Sequence, residues 1–306
     1  MKMKRIVLTL FALLGIFLFT VSAKEQPKIR TLIVTGQDGS HYWRGASECM
    51  RQILANTGRF DVDVIETPDW GGDMSTFNPD FKAYSLVIVN YGGVEWIEPC
   101  KKAFEEYVSA GGGVAFIHSS IIPMENWNEY NEMTGLGAWN GRDEKWGPYL
   151  YMLNGKYIYD YTPGWAGHHG LQHKTVIDTQ AGEHPVMKGL PKRWKHYKDE
   201  IYTKLRGPAK NIEILATTSD AGRDEPVMWT VRYGKGRVFV DVLGHCGNDP
   251  DMTYSMTCTG FQVTFARGCE WAATGIVTLP VPNDFPTEDT HTLRMDFKAP
   301  FHACSE

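Results

Sequence analysis

Residues 111–120 read Gly-Gly-Gly-Val-Ala-Phe-Ile-His-Ser-Ser. They follow an amphipathic stretch from Trp96 to Ala110, and glycine after such a stretch is the usual helix stop. The apolar run Val114–Ile117 is short and bounded by a turn, which predicts a strand buried on both faces. The chain then turns sharply at His118, Ser119 and Ser120. The tip of such a parallel strand is where open α/β sheets place their chemistry.

The rest of the chain repeats this grammar. Apolar or β-branched runs at 29–35, 61–66 and 85–90 predict three more strands, with a helix over 43–56 after the loop Gly36–Tyr42. That loop has GxxG spacing, not GxGxxG, so it supports no phosphate cradle. A further helix is expected near 124–134. Strands alternating with helices predict an α/β fold with a doubly wound, mostly parallel sheet. The pattern then breaks. Residues 135–174 are rich in Gly, Trp, Tyr and Asn without clear period, and a loop this long in a compact domain is usually functional. Strands follow at 175–178, 194–205, 212–217, 226–233 and 237–243, the last two joined by Gly234-Lys235-Gly236 as a hairpin. A helix over 260–273 stops at Gly275.

The first 23 residues stand apart: Met1–Arg5 is basic, residues 6–20 are apolar and uncharged, and Val21-Ser22-Ala23 is a small-residue cleavage site. An exported, periplasmic protein is expected. The mature chain is long enough for one large domain, placed at 29–278, with 279–306 as a proline-punctuated extended tail. The net charge of −5 and the absence of a basic run exclude nucleic acid and anionic membrane as natural partners. The six cysteines leave room for a disulfide, but their spacing shows no framework.

Several short motifs now fall into order: His41-Tyr42-Trp43-Arg44, residues 111–119, Gly167-His168-His169, Glu183-His184-Pro185-Val186, Asp199-Glu200-Ile201-Tyr202, Pro226-Val227-Met228-Trp229, Gly234–Phe239 and Leu243-Gly244-His245. In this order and spacing, over Arg30 to Val277, the chain resembles the trehalose-utilisation (ThuA-like) family. The resemblance implies a class I glutamine amidotransferase-like, flavodoxin-like three-layer fold, with extra antiparallel strands and a long aromatic insertion. It also implies a role in catabolism of disaccharides or their 3-keto forms. Class I amidotransferases carry a nucleophilic cysteine at the turn where this chain has His118, so amidotransferase chemistry is not expected.

Four residues are the catalytic candidates. His118 stands at the elbow, His41 in the first loop, His245 after the last strand, and Glu200 in a motif where Asp199 and Glu200 are expected to face opposite ways. Ser119 lacks the G-x-S-x-G context of a hydrolase nucleophile. It joins Trp43, Glu95, Trp139, Trp165 and His169 as a substrate-binding candidate, because aromatic faces stack on sugars. His169 and His173, four apart, would share a face if helical and could hold a divalent metal such as zinc, although Gly167 and Gly170 argue against a regular helix. The expected partner is a small-molecule sugar. Two functions are compatible with these residues: acid–base processing of a (keto)disaccharide by a lyase, isomerase or hydrolase, or carbohydrate binding without turnover.

Overall fold

The computed structural model describes residues 26–220, 222–247 and 254–294. The expected signal peptide and Cys304 lie outside these. In chain order the elements are β1 (Ile29–Gly36), α1 (Trp43–Asn56), β2 (Phe60–Glu66), β3 (Leu86–Tyr91), α2 (Glu98–Ser109), β4 (Gly113–Ile117), α3 (Asn128–Thr134), β5 (Tyr149–Leu153), β6 (Lys156–Asp160), β7 (His173–Thr179), β8 (Arg193–Asp199), β9 (Ile212–Asp220), β10 (Arg223–Tyr233), β11 (Gly236–Asp241), α4 (Tyr254–Thr257) and α5 (Thr259–Thr274).

One mixed sheet runs β2-β1-β3-β4-β11-β10-β9-β7-β8. The first five strands are parallel, in the 2-1-3-4-5 order of flavodoxin-like sheets. From β11 onwards each pairing is antiparallel. Four reversals leave β8 running the same way as β11, so β8 ends towards the same edge of the sheet as β1, β4 and β11.

Every residue of β3 and β4 is buried, as expected of parallel strands covered on both faces. Side chains alternate: the Phe116 ring meets Tyr130 of α3, while a Cβ on Gly113 would press against the Ala272 carbonyl of α5 at 2.4 Å. Helices α1 and α5 therefore form one outer layer and α2 and α3 the other. On the second side Trp96, Phe81, Phe104 and Trp127 interlock at 5.1–6.1 Å between ring centroids. Each such buried ring stabilises the fold by about 1.5–3 kcal/mol.

The expected strand over 194–205 is shorter in the structure, ending at Asp199. The aperiodic insertion holds a hairpin, β5 with β6, turning at Asn154-Gly155, both at positive φ. Asn-Gly between alternating residues is the strongest local hairpin signal, and it lies within the aromatic insertion. Beyond the last helix, residues 279–294 lie against the domain, with Phe285 packed on Trp194. Cys49, Cys100, Cys246, Cys258 and Cys269 are buried free thiols.

Gly113 is one of the tight packing points between sheet and helix. Gly113→Ala is expected to lower stability by about 2 kcal/mol, since a methyl group there overpacks against backbone that has nowhere to go. Urea denaturation measures this, and an unchanged midpoint would refute the packing argument.

Candidate metal centre

Four segments deliver one side chain each to the carboxyl edge of the sheet. After β1 the chain enters a loop in which Asp38 accepts hydrogen bonds from the Ser40 and His41 amides at 2.9 and 3.1 Å. This turn folds His41 back so that its Nδ1 lies 3.0 Å from both carboxylate oxygens of Asp38. His118 is the first residue past β4, at φ +48, a left-handed conformation uncommon outside glycine. Its Nδ1 donates to the Val242 carbonyl at 2.7 Å, which makes Nε2 the lone-pair nitrogen of the neutral ring. His245 follows β11 and Gly244. Gly244 is at φ +93, and a Cβ there would sit 2.5 Å from the Phe261 ring, so the position requires glycine. Glu200 follows the end of β8.

These four side chains converge. His41 Nε2 and His118 Nε2 each lie 3.6 Å from Glu200 Oε2, and His245 Nδ1 lies 3.3 Å from it. His245 Nδ1 and His118 Nε2 are 3.2 Å apart. One donor atom from each residue lies within 4.8 Å of the other three. A tetrahedron with bonds of about 2.1 Å, as zinc forms with nitrogen and oxygen, has edges of about 3.4 Å. The rings meet edge to face, at interplanar angles of 71–87°, as three imidazoles do when they aim nitrogens at a common point. Asp38 behind His41 and the Val242 carbonyl behind His118 are the outer partners that metal-ligating histidines ordinarily have. The donor set fits a divalent cation.

The charges of the cation-free site tell the same story. Burial opposes ionisation of Glu200, yet hydrogen bonds from His118, His245 and His41 hold its carboxyl far below the usual carboxylate range. Burial likewise opposes a charge on His41, but Asp38 and Glu200 overcome it and raise its pKa to about 9. Burial works against ionised Asp38 as well, and His41 and Ser119 bring it down to about 2. His118 is pushed downward by burial and by its histidine neighbours. Glu200 and Asp38 thus stay ionised and stabilise positive charge at His41.

Around the four lie Tyr202, His169, Trp139 and Ser119. The Tyr202 hydroxyl is 3.0 Å from His118 Nε2, and its ring stacks on that imidazole. Trp139 stands edge-on to Tyr202 and to His169. His169 Nδ1 is 3.3 Å from Glu200 Oε1, the oxygen opposite the cluster, and Ser119 donates to Asp38 at 2.6 Å. The His169–His173 pair is not a shared helical face. His173 opens β7 with its Nδ1 on the Leu171 carbonyl, and His169 belongs beside Glu200 instead. Glu95 is engaged by Lys101 and the Asn126 amide rather than by the imidazoles. The Trp43 ring lies under the Arg44 guanidinium, and Trp165 is 72% exposed.

Sequence reasoning also put Asp199 and Glu200 on opposite faces of a strand. Both turn inward, because β8 stops at Asp199 and the Asp199 carboxylate takes up the Glu200 amide at 2.8 Å. Asp38, Asp199 and Tyr202 were missed as site residues. Asp38 had a readable signal, three residues before His41 in a glycine-flanked loop where an aspartate folds its own backbone.

A family model described as trehalose utilisation matches residues 30–272, which supports a carbohydrate-related role. The chain is 46% identical to a ThuA-like protein from Parabacteroides merdae, covering 89% of this chain and 99% of that one at a TM-score of 0.86. A ThuA-like protein from Bacteroides uniformis shares the fold at 17% identity and a TM-score of 0.53, over 85% of this chain and 97% of that one. No curated protein matches the chain.

In protein treated with a chelator, the His41 imidazole is expected to titrate near 9. Because that pKa is raised above its unfolded value of 6.5, the stability it contributes is full below 6.5 and is lost as pH rises through 9. Asp38→Asn should bring the His41 titration down towards the ordinary range. Histidine-detected NMR measures both, and an Asp38→Asn protein with His41 still titrating near 9 would rule out the pairing.

Proposed function

The chain belongs to the ThuA-like trehalose-utilisation family, and from there we propose that it is an exported carbohydrate-processing enzyme with a divalent-cation centre at His41, His118, His245 and Glu200. The observation that carries this reading is the convergence of three imidazole nitrogens and one carboxylate oxygen at tetrahedron-like spacing. Three nitrogens and an oxygen suit zinc among the common divalent ions. A cation held by these four donors would, on taking a further ligand, supply Lewis-acid polarisation of a carbonyl or hydroxyl oxygen.

The chain's own residues favour a neutral, polyhydroxylated substrate. Among the described residues no Lys or Arg pairs with Asp38 or Glu200. The nearby Arg44 and Lys101 are committed to Glu66, Asp69 and Glu95. Among the described residues a phosphorylated or carboxylated ligand would find no paired lysine or arginine at the cluster and would rest on imidazoles alone. Trp139 supplies an aromatic wall beside the cluster, while Trp165 and Tyr161 stand exposed on the same insertion. His169 is the partly exposed imidazole of the group, its Nδ1 hydrogen-bonded to the Gly170 carbonyl at 3.0 Å and 3.3 Å from Glu200 Oε1, and so is suited to carry a proton to or from a bound ligand. A disaccharide or its 3-keto derivative meets these conditions. The acidic C–H beside a keto group makes isomerisation or elimination accessible to a histidine–carboxylate site.

The exposed Trp165 and Tyr161 favour one rival, carbohydrate binding without turnover. Two measurements separate the readings. Cobalt(II) is expected to bind one equivalent per chain with a visible absorption band, and Glu200→Gln and His41→Ala should weaken it by more than about 100-fold. Proton NMR of the cobalt- or zinc-loaded protein with trehalose, sucrose and their 3-keto forms should show new product signals that vanish in His118→Ala. Line broadening with no product, unchanged in His118→Ala, would refute the enzyme and favour the binding protein.

A further inference from the structure

Three of the four donors, His41, Glu200 and His245, sit on segments without regular structure. Among the described residues His245 also lacks the support the other imidazoles have: its Nε2 is buried with no hydrogen-bond partner there, whereas His41 leans on Asp38 and His118 on Val242. Its aim must come from the backbone. That backbone is held at its carbonyl by the Ser255 hydroxyl, which donates to His245, and at its amides by one buried carboxylate. The fully buried Asp199 carboxylate accepts from the His245 amide at 3.1 Å, the Gly244 amide at 2.8 Å and the Glu200 amide at 2.8 Å. His196 Nε2 lies 2.7 Å from the same carboxylate, and His196 is itself wholly buried.

We infer that Asp199 is the positioning residue of the centre: its carboxylate clamps the Glu200 and Gly244–His245 backbones together so that their side chains meet His41 and His118. This rests on the cation reading of those four residues. Asp199 hydrogen-bonds to none of the four side chains, and it holds them through main-chain amides. Its two oxygens divide the work. Oδ1 takes the Glu200 and His245 amides, and Oδ2 takes Gly244 and His196. An asparagine can reproduce one set only. With its oxygen at Oδ1, its NH2 faces the Gly244 N–H, and donor meets donor at a residue whose left-handed φ already fixes the direction of His245.

The test is cobalt(II) titration of wild type, Asp199→Asn and Gly113→Ala. Gly113→Ala lies far from these amides and supplies a destabilised protein with an intact clamp. Asp199→Asn is expected to bind cobalt about 10–100-fold more weakly and with an altered visible band, as loss of an outer partner does. Gly113→Ala should retain wild-type affinity and band. Wild-type affinity and spectrum in Asp199→Asn would overturn the inference while leaving the cation centre intact. So would equal loss in Gly113→Ala, since general destabilisation would then account for it.

If wild type bound no cobalt, the cation reading would fail by itself. The clamp would then be decided on the cation-free protein by NMR, with the His245 ring signals expected to move in Asp199→Asn, and unmoved signals overturning it. Should Asp199→Asn fail to fold, amide hydrogen exchange in wild type decides. The Glu200, Gly244 and His245 amides are expected to exchange slowly despite lying outside strands and helices. Exchange at open-loop rates would overturn the clamp.

Discussion

Everything in this molecule depends on the parallel pairing of β4 between β3 and β11. A strand buried on both faces cannot shift register without driving its side chains into the wrong layer. β4 carries no polar side chain in its interior, so it accepts helices on either side and fixes where its neighbours end. Because β1, β4 and β11 run the same way, their carboxyl ends share an edge. Three loops therefore open at one place, and each carries a histidine. The antiparallel half then brings the end of β8, and with it Glu200, to the same edge. The site is a consequence of strand direction before it is one of side-chain chemistry.

Bringing charges to that edge and burying them is costly, and the structure offsets the cost in layers. Glu200 faces three imidazoles, Asp38 faces His41 and Ser119, and Asp199 faces His196 and three amides. Burial opposes a charge on His196, but Cys258 and Asp199 overcome it and lift its pKa to about 10. Each carboxylate is thus met by donors specific to it, and none relies on an exposed lysine or arginine. Such an arrangement is rigid, because moving any member strands a buried charge. Rigidity of this kind holds donor atoms at fixed separations.

Much of this was legible in the residues. The apolar run 114–117 and the glycines before it announced the central strand, and the sharp turn after it placed His118 at the elbow. His41 and His245 also follow strands, so strand ends alone nominated three of the four donors. Glu200 was nominated with the wrong local geometry. Nothing in Asp199-Glu200 as letters says that β8 stops between them, because termination there is driven by tertiary amides from Gly244 and His245. The same limit hid Asp199 itself, whose partners lie 45 and 46 residues away in sequence. The His169–His173 pairing failed for the opposite reason. Its spacing was local and helical, but the segment is tied by β-type bridges, His168 to Thr203 among them.

The centre joins positions far apart along the chain: His118 and His245, in direct contact, are 127 residues apart. A cation held between them would act as a cross-link closing a very long loop, and such closures remove the most freedom from the unfolded chain. The pocket would then serve the polypeptide as a clasp as well as a workplace. Cation supply would set how long the folded protein survives as much as what it can do.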